Sequence, residues 1–406
     1  MSESPLSDVV SRQYERWSYP PPIEDLEAWL QNRHELFDPS ISHRLFWPDR
    51  AYTPRIDILI AGCGTNQAAV FAYRNRAANV LAIDVSEASL AHEQHLKEKY
   101  GLSNLELVRL PIEEAPNLGR EFDLVVSTGV LHHMSDPLAG MKALGACLSR
   151  DGVAGVMLYA KYGRVGVEAL QAVFRDLGLR QDEPSLELVK ETLGLLPREH
   201  LLQPYVPIAP DLQFDAGLVD AFLHGRDRSY SVEDCMDLAA SAGLVFQGWM
   251  NHDCYYPEMF APLNSSVYAA LNALPEPKLW AAMERLQTQN ACHCFMACRT
   301  GRPPSQYTID FGRTQFVEYV PVLRHLVRVE QDHIAGPRGR IPLNRVQAAF
   351  LREVDGRRTI SEMIARLAAA GMLGNVQDVE QFARELFRSL WRLGLLAVGL
   401  ERTSGL

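Results

Sequence analysis

The sequence lacks the features that would direct it to a membrane or to an oxidising compartment. No apolar run reaches the roughly 18 residues that a transmembrane helix needs. The opening stretch MSESPLSDVVSRQYERW has neither the basic nor the apolar segment of a secretory signal. The seven cysteines are scattered and odd in number, which argues against a disulfide framework. We therefore expect a soluble cytoplasmic protein with no membrane partner.

An excess of positive charge is also missing. The net charge of −10 disfavours nucleic acid as a partner of the whole surface. Internal repeats and low-complexity tracts are absent as well. With 406 residues, the chain is long enough for two or three domains. The Pro/Gly-rich stretch GRPPSQYT (301–308) marks a candidate boundary between them.

Apolar strands alternate with helical patterns from residue 54 to residue 160. The strand candidates are RIDILIA, NVLAIDV, NLELVRL, EFDLVVST and GVAGVMLYA. This rhythm predicts an α/β fold with a doubly wound, Rossmann-like parallel sheet. Residues 161–243 show helical patterns only, which predicts a helical cap, and residues 244–250 and 293–299 predict two more strands.

A glycine turn follows the first predicted strand, in AGCGTN. Gly62 and Gly64 allow a close approach of a ligand, and Asp84 ends the second strand, where a carboxylate can hold both hydroxyls of a ribose. The dinucleotide pattern Gly-x-Gly-x-x-Gly needs a third glycine, but Gln67 stands there. A ligand with a ribose and an adenine but no pyrophosphate fits this pattern, and S-adenosyl-L-methionine is such a ligand.

The motifs ILIAGCGTN, LAIDVS, FDLVVSTGVLHHMSDP and LSRDGVAGVMLY together resemble those of class I S-adenosylmethionine-dependent methyltransferases. The resemblance covers residues 54–160, and the strand pair 244–250 and 293–299 fits the closing hairpin of that fold. The stretch QYERWSYPPP (13–22), which we call the flap, also resembles a bacterial subgroup of this family. The resemblance implies a seven-stranded sheet and methyl transfer to a small-molecule or peptide/protein acceptor.

The resemblance also implies the residues that bind the cofactor. Gly62, Cys63 and Gly64 would offer backbone to the methionine end, with Thr65 beside them, and Asp84 would hold the ribose. The adenine would meet Val85 and Ile112, and the sulfonium would meet Thr128 and Gly129. The sequence departs from the family at Ala61, Asn66 and Pro111, where the family often has an acid, a glycine and an aspartate.

Several residues are candidates for catalysis or acceptor binding. His132 and His133 are candidate bases, with packing at a helix start as the alternative. Tyr14 and Tyr19 of the flap either close over the methyl group or pack on the surface. Tyr162 and Arg164 follow the fifth strand and are expected to reach the site. Arg226 and Arg228 in GRDRSY either bind a substrate carboxylate or form structural ion pairs. Alternation along a strand separates the cysteines of CHCFMAC, so we expect no metal there.

The C-terminal region predicts a small winged-helix-like unit of three helices and a strand. Residues 337–406 hold eleven arginines, no lysine and seven acids, a modest surplus for binding DNA. Docking of a substrate, a structural or dimerising role, and DNA binding in a cofactor-sensing regulator all stay open. The predicted domains are residues 1–53, with the flap, 54–301, with the cap at 161–243, and 302–406.

Overall fold

The computed structural model describes residues 4–374 and 376–400. Within them the chain forms fifteen α-helices and twelve β-strands. The helices are α1 (Val9–Arg16), α2 (Leu26–Asn32), α3 (Pro39–Phe46), α4 (Gln67–Arg74), α5 (Glu87–Lys99), α6 (Pro137–Ala146), α7 (Val165–Asp176), α8 (Glu183–Leu195), α9 (Asp215–Phe222), α10 (Val232–Ser241), α11 (Ser266–Asn272), α12 (Glu276–Leu286), α13 (Arg345–Arg352), α14 (Ile360–Ala369) and α15 (Val379–Arg392). The strands are β1 (Asp57–Ala61), β2 (Asn79–Asp84), β3 (Leu105–Arg109), β4 (Phe122–Thr128), β5 (Leu148–Tyr159), β6 (Leu244–Trp249), β7 (Cys292–Arg299), β8 (Val320–Leu323), β9 (Arg328–Val329), β10 (His333–Gly336), β11 (Gly339–Pro342) and β12 (Leu396–Gly399). Within the described ranges, every helix is too short or too polar to cross a membrane.

The chain divides into two compact units. Unit 1 holds residues 4–37, 54–249 and 284–301, and unit 2 holds residues 38–53, 250–283 and 302–400. The predicted domains meet at 53/54 and 301/302, where the chain also passes from one unit to the other. The structure additionally assigns residues 38–53 and 250–283 to unit 2.

Unit 1 is built on a seven-stranded sheet in the order β3-β2-β1-β4-β5-β7-β6. The first five strands are parallel, and β7 runs antiparallel to both β5 and β6. The register places Ile58 of β1 between Val80 of β2 and Leu124 of β4. These positions are buried, as expected for central parallel strands covered on both faces. The predicted Rossmann-like seven-stranded fold is confirmed.

The parallel strands bring their carboxyl ends to one edge of the sheet. The glycine turn follows β1, Asp84 ends β2, and Pro111 follows β3 after one residue. Thr128 ends β4 and Tyr159 ends β5. Side chains that lie far apart in the sequence therefore converge at this edge, where open α/β sheets bind their ligands.

Helices α7 to α10 form the cap that the sequence predicts between β5 and β6. The first three of these helices, with the chain from Leu196 to Phe214, enclose an apolar core of their own, whose buried members include Val167, Phe174, Val189 and Phe222. Ser231 begins α10 with a capping box completed by Asp234, as predicted. The cap therefore has a rigid framework from which α9 can present polar side chains.

Unit 2 has a separate core, to which Phe316, Phe350, Met363 and Phe387 contribute. Strands β9, β10 and β11 form a three-stranded antiparallel sheet. Helices α13, α14 and α15 and strand β12 follow in the predicted order, and β12 pairs with β8. The winged-helix assignment of this unit stays a prediction.

Candidate active site

A cavity of about 690 Å³ opens at the carboxyl edge of the sheet in unit 1. Its walls come from the flap, the loops after β1 to β4, the end of β5, and the cap. The glycine turn and Asp84 line one end, and Tyr159, Tyr205 and Asp220 line the other. We call the second end the inner chamber. The cavity thus joins a place for a cofactor to a place for a second substrate.

The glycine turn has the backbone geometry that the sequence predicts. Gly62 and Gly64 adopt φ angles of 81° and 57°, which favour glycine. A Cβ on Gly62 would lie 2.4 Å from a methyl carbon of Val130. The amides of Gly62 and Cys63 already donate to the carbonyl of Ile83, at 2.8 and 3.2 Å. What the turn offers a ligand is therefore its carbonyl oxygens and its bare surface.

Asp84 is fixed by two backbone amides. Its Oδ2 accepts from the amide of Gly64 and its Oδ1 from the amide of Ser86, both at 2.9 Å. Each oxygen keeps a second lone pair for a hydroxyl donor. Withdrawal from water raises the pKa of this carboxyl, and no described Lys or Arg pairs with it. Asp84 is thus a pre-oriented acceptor for the two hydroxyls of a ribose.

Two side chains explain why the turn departs from the dinucleotide pattern. Gln67 lies in the cavity and donates from Nε2 to Glu35 at 3.1 Å and to the hydroxyl of Thr128 at 3.2 Å. Glu93 is fully buried and accepts from the amides of Ala68 and Ala69 at 2.9 Å. Burial raises the pKa of Glu93 to about 8. A carboxyl group therefore occupies the start of α4, where a pyrophosphate would otherwise sit.

The remaining predicted cofactor residues mostly line the same cavity. Cys63, Val85, Ile112, Thr128 and Gly129 are all in its wall. Thr65 is different, because it is fully buried and its hydroxyl donates to the carbonyl of Pro20 at 2.7 Å. Asn66 similarly donates to the carbonyl of Pro21 at 3.4 Å. Both residues therefore hold the flap at the cofactor end, and only Asn66 of the two lines the cavity.

The flap also reaches the inner chamber. The hydroxyl of Tyr14 donates to Oδ1 of Asp220 at 3.0 Å, and the hydroxyl of Tyr19 donates to Oδ2 of Asp211 at 2.8 Å. Tyr159, at the end of β5, donates to the other oxygen of Asp220 at 3.0 Å. Burial is the main cause that raises the pKa of Asp220, and it also raises that of Tyr14. The structure therefore brings both predicted tyrosines of the flap into the site.

Arg164 is buried in the wall of the inner chamber, and both of its terminal nitrogens donate to other side chains. It donates to Asp227 at 2.9 Å and to the hydroxyl of Tyr205 at 2.8 Å, and it stacks over the ring of Tyr159 at 3.6 Å. Arg164 therefore positions the chamber walls. Tyr162 lies outside the cavity wall, where its hydroxyl accepts from Arg285 at 3.2 Å. Only one of this predicted pair thus takes part in the site.

The two predicted histidines have different surroundings. His132 is fully buried and stacks on Tyr159 at 3.8 Å, and neither of its ring nitrogens has a hydrogen-bond partner among the described residues. Burial lowers its pKa well below the usual value. His133 lines the cavity, and its Nδ1 donates to the carbonyl of Arg226 at 2.9 Å. In the neutral ring, Nε2 of His133 then keeps a free lone pair.

Two groups of side chains have the composition of a metal site. One is His132, His133 and Asp227, and the other is His133, Asp220 and His224. Nδ1 of His133 already carries the hydrogen that it donates to Arg226. Nδ1 of His224 accepts from the amide of Arg226 at 3.0 Å, which leaves the hydrogen on its Nε2. The second group is therefore better suited to hydrogen bonding than to holding an ion.

The charged side chains of GRDRSY contact other residues of the protein. Arg226 pairs with Asp8 at 3.0 Å and donates to the carbonyl of His133, and Arg228 donates to the carbonyl of Ser135. Asp227 neutralises Arg164. These contacts therefore support the interpretation of this stretch as structural ion pairs.

Sequence reasoning missed most of the inner chamber. The missed residues of the chamber are Tyr159, Tyr205, Asp211 and Asp220, and those that contact its other residues are His224 and Asp227; Gln67 was missed beside the glycine turn. One signal was available, since Asp220 is the lone acid within the apolar stretch GLVDAFL, where an acid is costly unless it has a purpose. The sequence around the other residues gives no such signal, because they become neighbours only through the fold.

Comparison with known proteins bears on the family and the fold of the chain. Residues 59–154 match the family model described as a methyltransferase domain. An uncharacterized protein of Synechococcus sp., syc1184_c, is 27% identical over 306 residues, which cover 73% of each chain. The tRNA U34 carboxymethyltransferase of Campylobacter lari is 43% identical over 44 residues, 11% of this chain and 15% of that one.

A solved structure shares the fold. PKMT2 from Rickettsia typhi, in complex with AdoHcy, superposes with a TM-score of 0.63 at 16% identity, over 94% of this chain and 77% of that chain. The predicted family and cofactor are confirmed, whereas a cofactor-sensing regulator gains no support. Residues 59–154 thus match a methyltransferase domain, and the sheet order and the superposition show that the chain has the fold of class I S-adenosylmethionine-dependent methyltransferases.

Proposed function

We propose that the protein transfers the methyl group of S-adenosylmethionine to the nitrogen of an amine. The observation that carries this proposal is the charge of the inner chamber. Asp211 and Asp220 line it, each held by tyrosine hydroxyls, and neither has a Lys or Arg partner in the described part of the chain. The chamber therefore favours a cation over a neutral or anionic group.

Aromatic rings support the same choice. Tyr14, Tyr19, Tyr159 and Tyr205 all line the cavity. Ring faces attract ammonium groups, and this attraction does not weaken when hydrogens on nitrogen are replaced by methyl groups. The surrounding cap adds a diffuse field of the same sign. Residues 161–243 hold eight Lys or Arg and fourteen Asp or Glu, which is −6 of the −10 carried by the chain.

The residues at the cofactor end fit S-adenosylmethionine. Asp84 faces the cavity with two free lone pairs for the ribose, and Val85 and Ile112 are placed for the adenine. Glu93 at the start of α4 disfavours a phosphate. When bound, S-adenosylmethionine supplies an electrophilic methyl group and a neutral thioether as the leaving group. Thr128 and Gly129 line the same cavity, and the resemblance assigns them to the sulfonium.

The acceptor must present a nitrogen lone pair, so an ammonium must first lose a proton. His133 lines the cavity, and Nε2 of its neutral ring has a free lone pair. The ring is fixed by the carbonyl of Arg226 and by stacking on His224 at 3.8 Å. We assign this nitrogen the role of proton acceptor. Asp220 and the tyrosines hold the amine in line, and the flap excludes water.

The experiment is a comparison of acceptors of equal size. The full chain is incubated with S-adenosylmethionine and with a primary alkylamine, or with the alcohol, thiol or carboxylate of the same length, and AdoHcy release is measured. A lysine-containing peptide tests a peptide-borne amine in parallel. We expect turnover with amines only, at a rate that rises with pH as the amine is deprotonated.

Asp220→Asn is the matched variant, because it removes the charge and keeps the size. It should raise KM for the amine at least tenfold. The control is Asp215→Asn, which removes a cap carboxylate that pairs with Lys190 at 2.9 Å outside the cavity. Methylation of the alcohol in preference to the amine, or an Asp220→Asn enzyme with unchanged KM, would overturn the proposal.

A further inference from the structure

Tyr205 differs from the other tyrosines of the inner chamber in its hydrogen bonding. The hydroxyls of Tyr14, Tyr19 and Tyr159 donate to carboxylates. The hydroxyl of Tyr205 only accepts, from Nη1 of Arg164 at 2.8 Å. Among the described residues, none accepts the hydrogen of this hydroxyl, although Tyr205 is only 9% exposed. A buried donor without an acceptor indicates that another molecule completes the bond.

The position of this hydroxyl is fixed from behind. A guanidinium can only donate, so the contact with Arg164 leaves the hydrogen of Tyr205 free to point elsewhere. Arg164 is itself held by Asp227 at 2.9 Å and by the ring of Tyr159. Burial raises the pKa of Tyr205 to about 12, so the hydroxyl keeps its hydrogen at neutral pH. Tyr205 thus presents a pre-oriented donor in the cavity wall.

We propose that Tyr205 recognises a neutral carbonyl oxygen on the acceptor molecule, close to the amine that is methylated. This inference rests on the proposed amine acceptor and narrows its chemistry. A carboxylate is disfavoured because Asp211 and Asp220 line the same chamber, and because Asp227 already neutralises Arg164. An amide or ketone oxygen accepts the hydrogen without adding charge. The acceptor class is therefore an amine that also carries an amide or ketone group.

The proposal predicts a preference that depends on one hydroxyl. Three acceptors are compared: an ω-aminoalkyl acetamide, the alkylamine with a methylene in place of the carbonyl, and the ω-amino carboxylate of the same length. For the wild-type enzyme, kcat/KM for the acetamide should exceed that for the alkylamine by about 10-fold, the effect of one buried hydrogen bond. In Tyr205→Phe the two values should become equal, because only the acetamide rate falls.

Controls separate this role from a loss of structure. Calorimetric titration of Tyr205→Phe with S-adenosylmethionine should give the wild-type affinity. Tyr268→Phe removes a hydroxyl that donates to Glu258 in unit 2 and should keep the 10-fold preference. An unchanged preference in Tyr205→Phe would overturn this inference and leave the amine proposal standing. A Tyr205-dependent preference for the carboxylate would overturn the neutral carbonyl. A wild-type enzyme that methylates no amine would overturn both proposals.

Discussion

Replacing Asp84 by asparagine is expected to weaken the binding of S-adenosylmethionine between about 150-fold and 1,000-fold. Asparagine keeps the shape of the side chain but loses the charge, and one acceptor oxygen becomes a donor. A hydrogen bond to a charged group contributes about 1.5 to 3 kcal/mol. The loss of one such bond to the ribose, with the weakening of the other, amounts to about 3 to 4 kcal/mol.

The structure adds a second reason for a large effect. Both oxygens of Asp84 also accept backbone amides, from Gly64 and Ser86. An asparagine amide group must turn its NH₂ towards one of these N–H groups, which leaves a donor facing a donor. The glycine turn is then displaced as well. Affinity should fall for S-adenosylmethionine and for AdoHcy alike, because both carry the ribose.

Isothermal titration calorimetry at constant salt measures this change directly. Asp123→Asn is the control, because Asp123 also accepts a backbone amide, that of Asp57 at 3.1 Å, but at the start of β4, at the other end of the sheet. It should leave the affinity unchanged. If Asp84→Asn binds within about threefold of the wild type, the ribose assignment is refuted, since the strongest predicted contact would then contribute almost nothing.

Three further changes test other parts of the structure. Gly62→Ala should lower the melting temperature and abolish cofactor binding, because the new Cβ clashes with Val130. Its control is Gly178→Ala, which has a φ of 70° and no atom within 4 Å of the new Cβ and should therefore lose only about 1 to 3 kcal/mol of stability to backbone strain. Equal losses of stability in the two variants would contradict the clash. His133→Ala should lower kcat about 100-fold, whereas His132→Ala should lower stability. The reverse pattern would remove His133 as the proton acceptor. Burial and the neighbouring arginines lower the pKa of His43 to about 4, so the folded state loses about 3 kcal/mol of stability as the pH falls from 6.5 towards 4. In urea titrations at high and low pH, His43→Phe should therefore lose less stability on acidification than the wild type. An equal loss in the two proteins would contradict this prediction.

The fold could be predicted from the sequence because each strand and helix has a signal within its own stretch of residues. Central parallel strands are covered on both faces, so each reads as a short apolar run, and the helices between them set the spacing. Asp84 could be predicted for the same reason, because a carboxylate at the end of β2 can only reach the edge where the glycine turn lies. The cofactor could therefore be predicted from the stretch between Gly62 and Gly129.

The acceptor chamber could not be predicted in this way. Tyr14 comes from the flap, Tyr159 from β5 and Asp220 from α9, and no spacing rule relates these three positions. Arg164 shows the difficulty clearly. Its place after β5 correctly predicted proximity to the site, but only the fold reveals that its two terminal nitrogens donate to Tyr205 and Asp227. A charged residue near a site binds substrate only if the protein leaves it free.

The flap connects the two ends of the cavity in a way that bears on catalysis. Thr65 and Asn66, beside the cofactor turn, donate to its carbonyls at Pro20 and Pro21. Tyr14 and Tyr19 of the same segment donate to the two chamber carboxylates, Asp220 and Asp211.

The flap also lies directly against the glycine turn, since a Cβ on Gly64 would sit 3.0 Å from Cδ of Pro20. The segment that covers the cofactor end therefore also holds the two carboxylates of the inner chamber. In the proposed function, the contacts that exclude water from the methyl donor and those that organise the amine site thus depend on the same ten residues, 13–22.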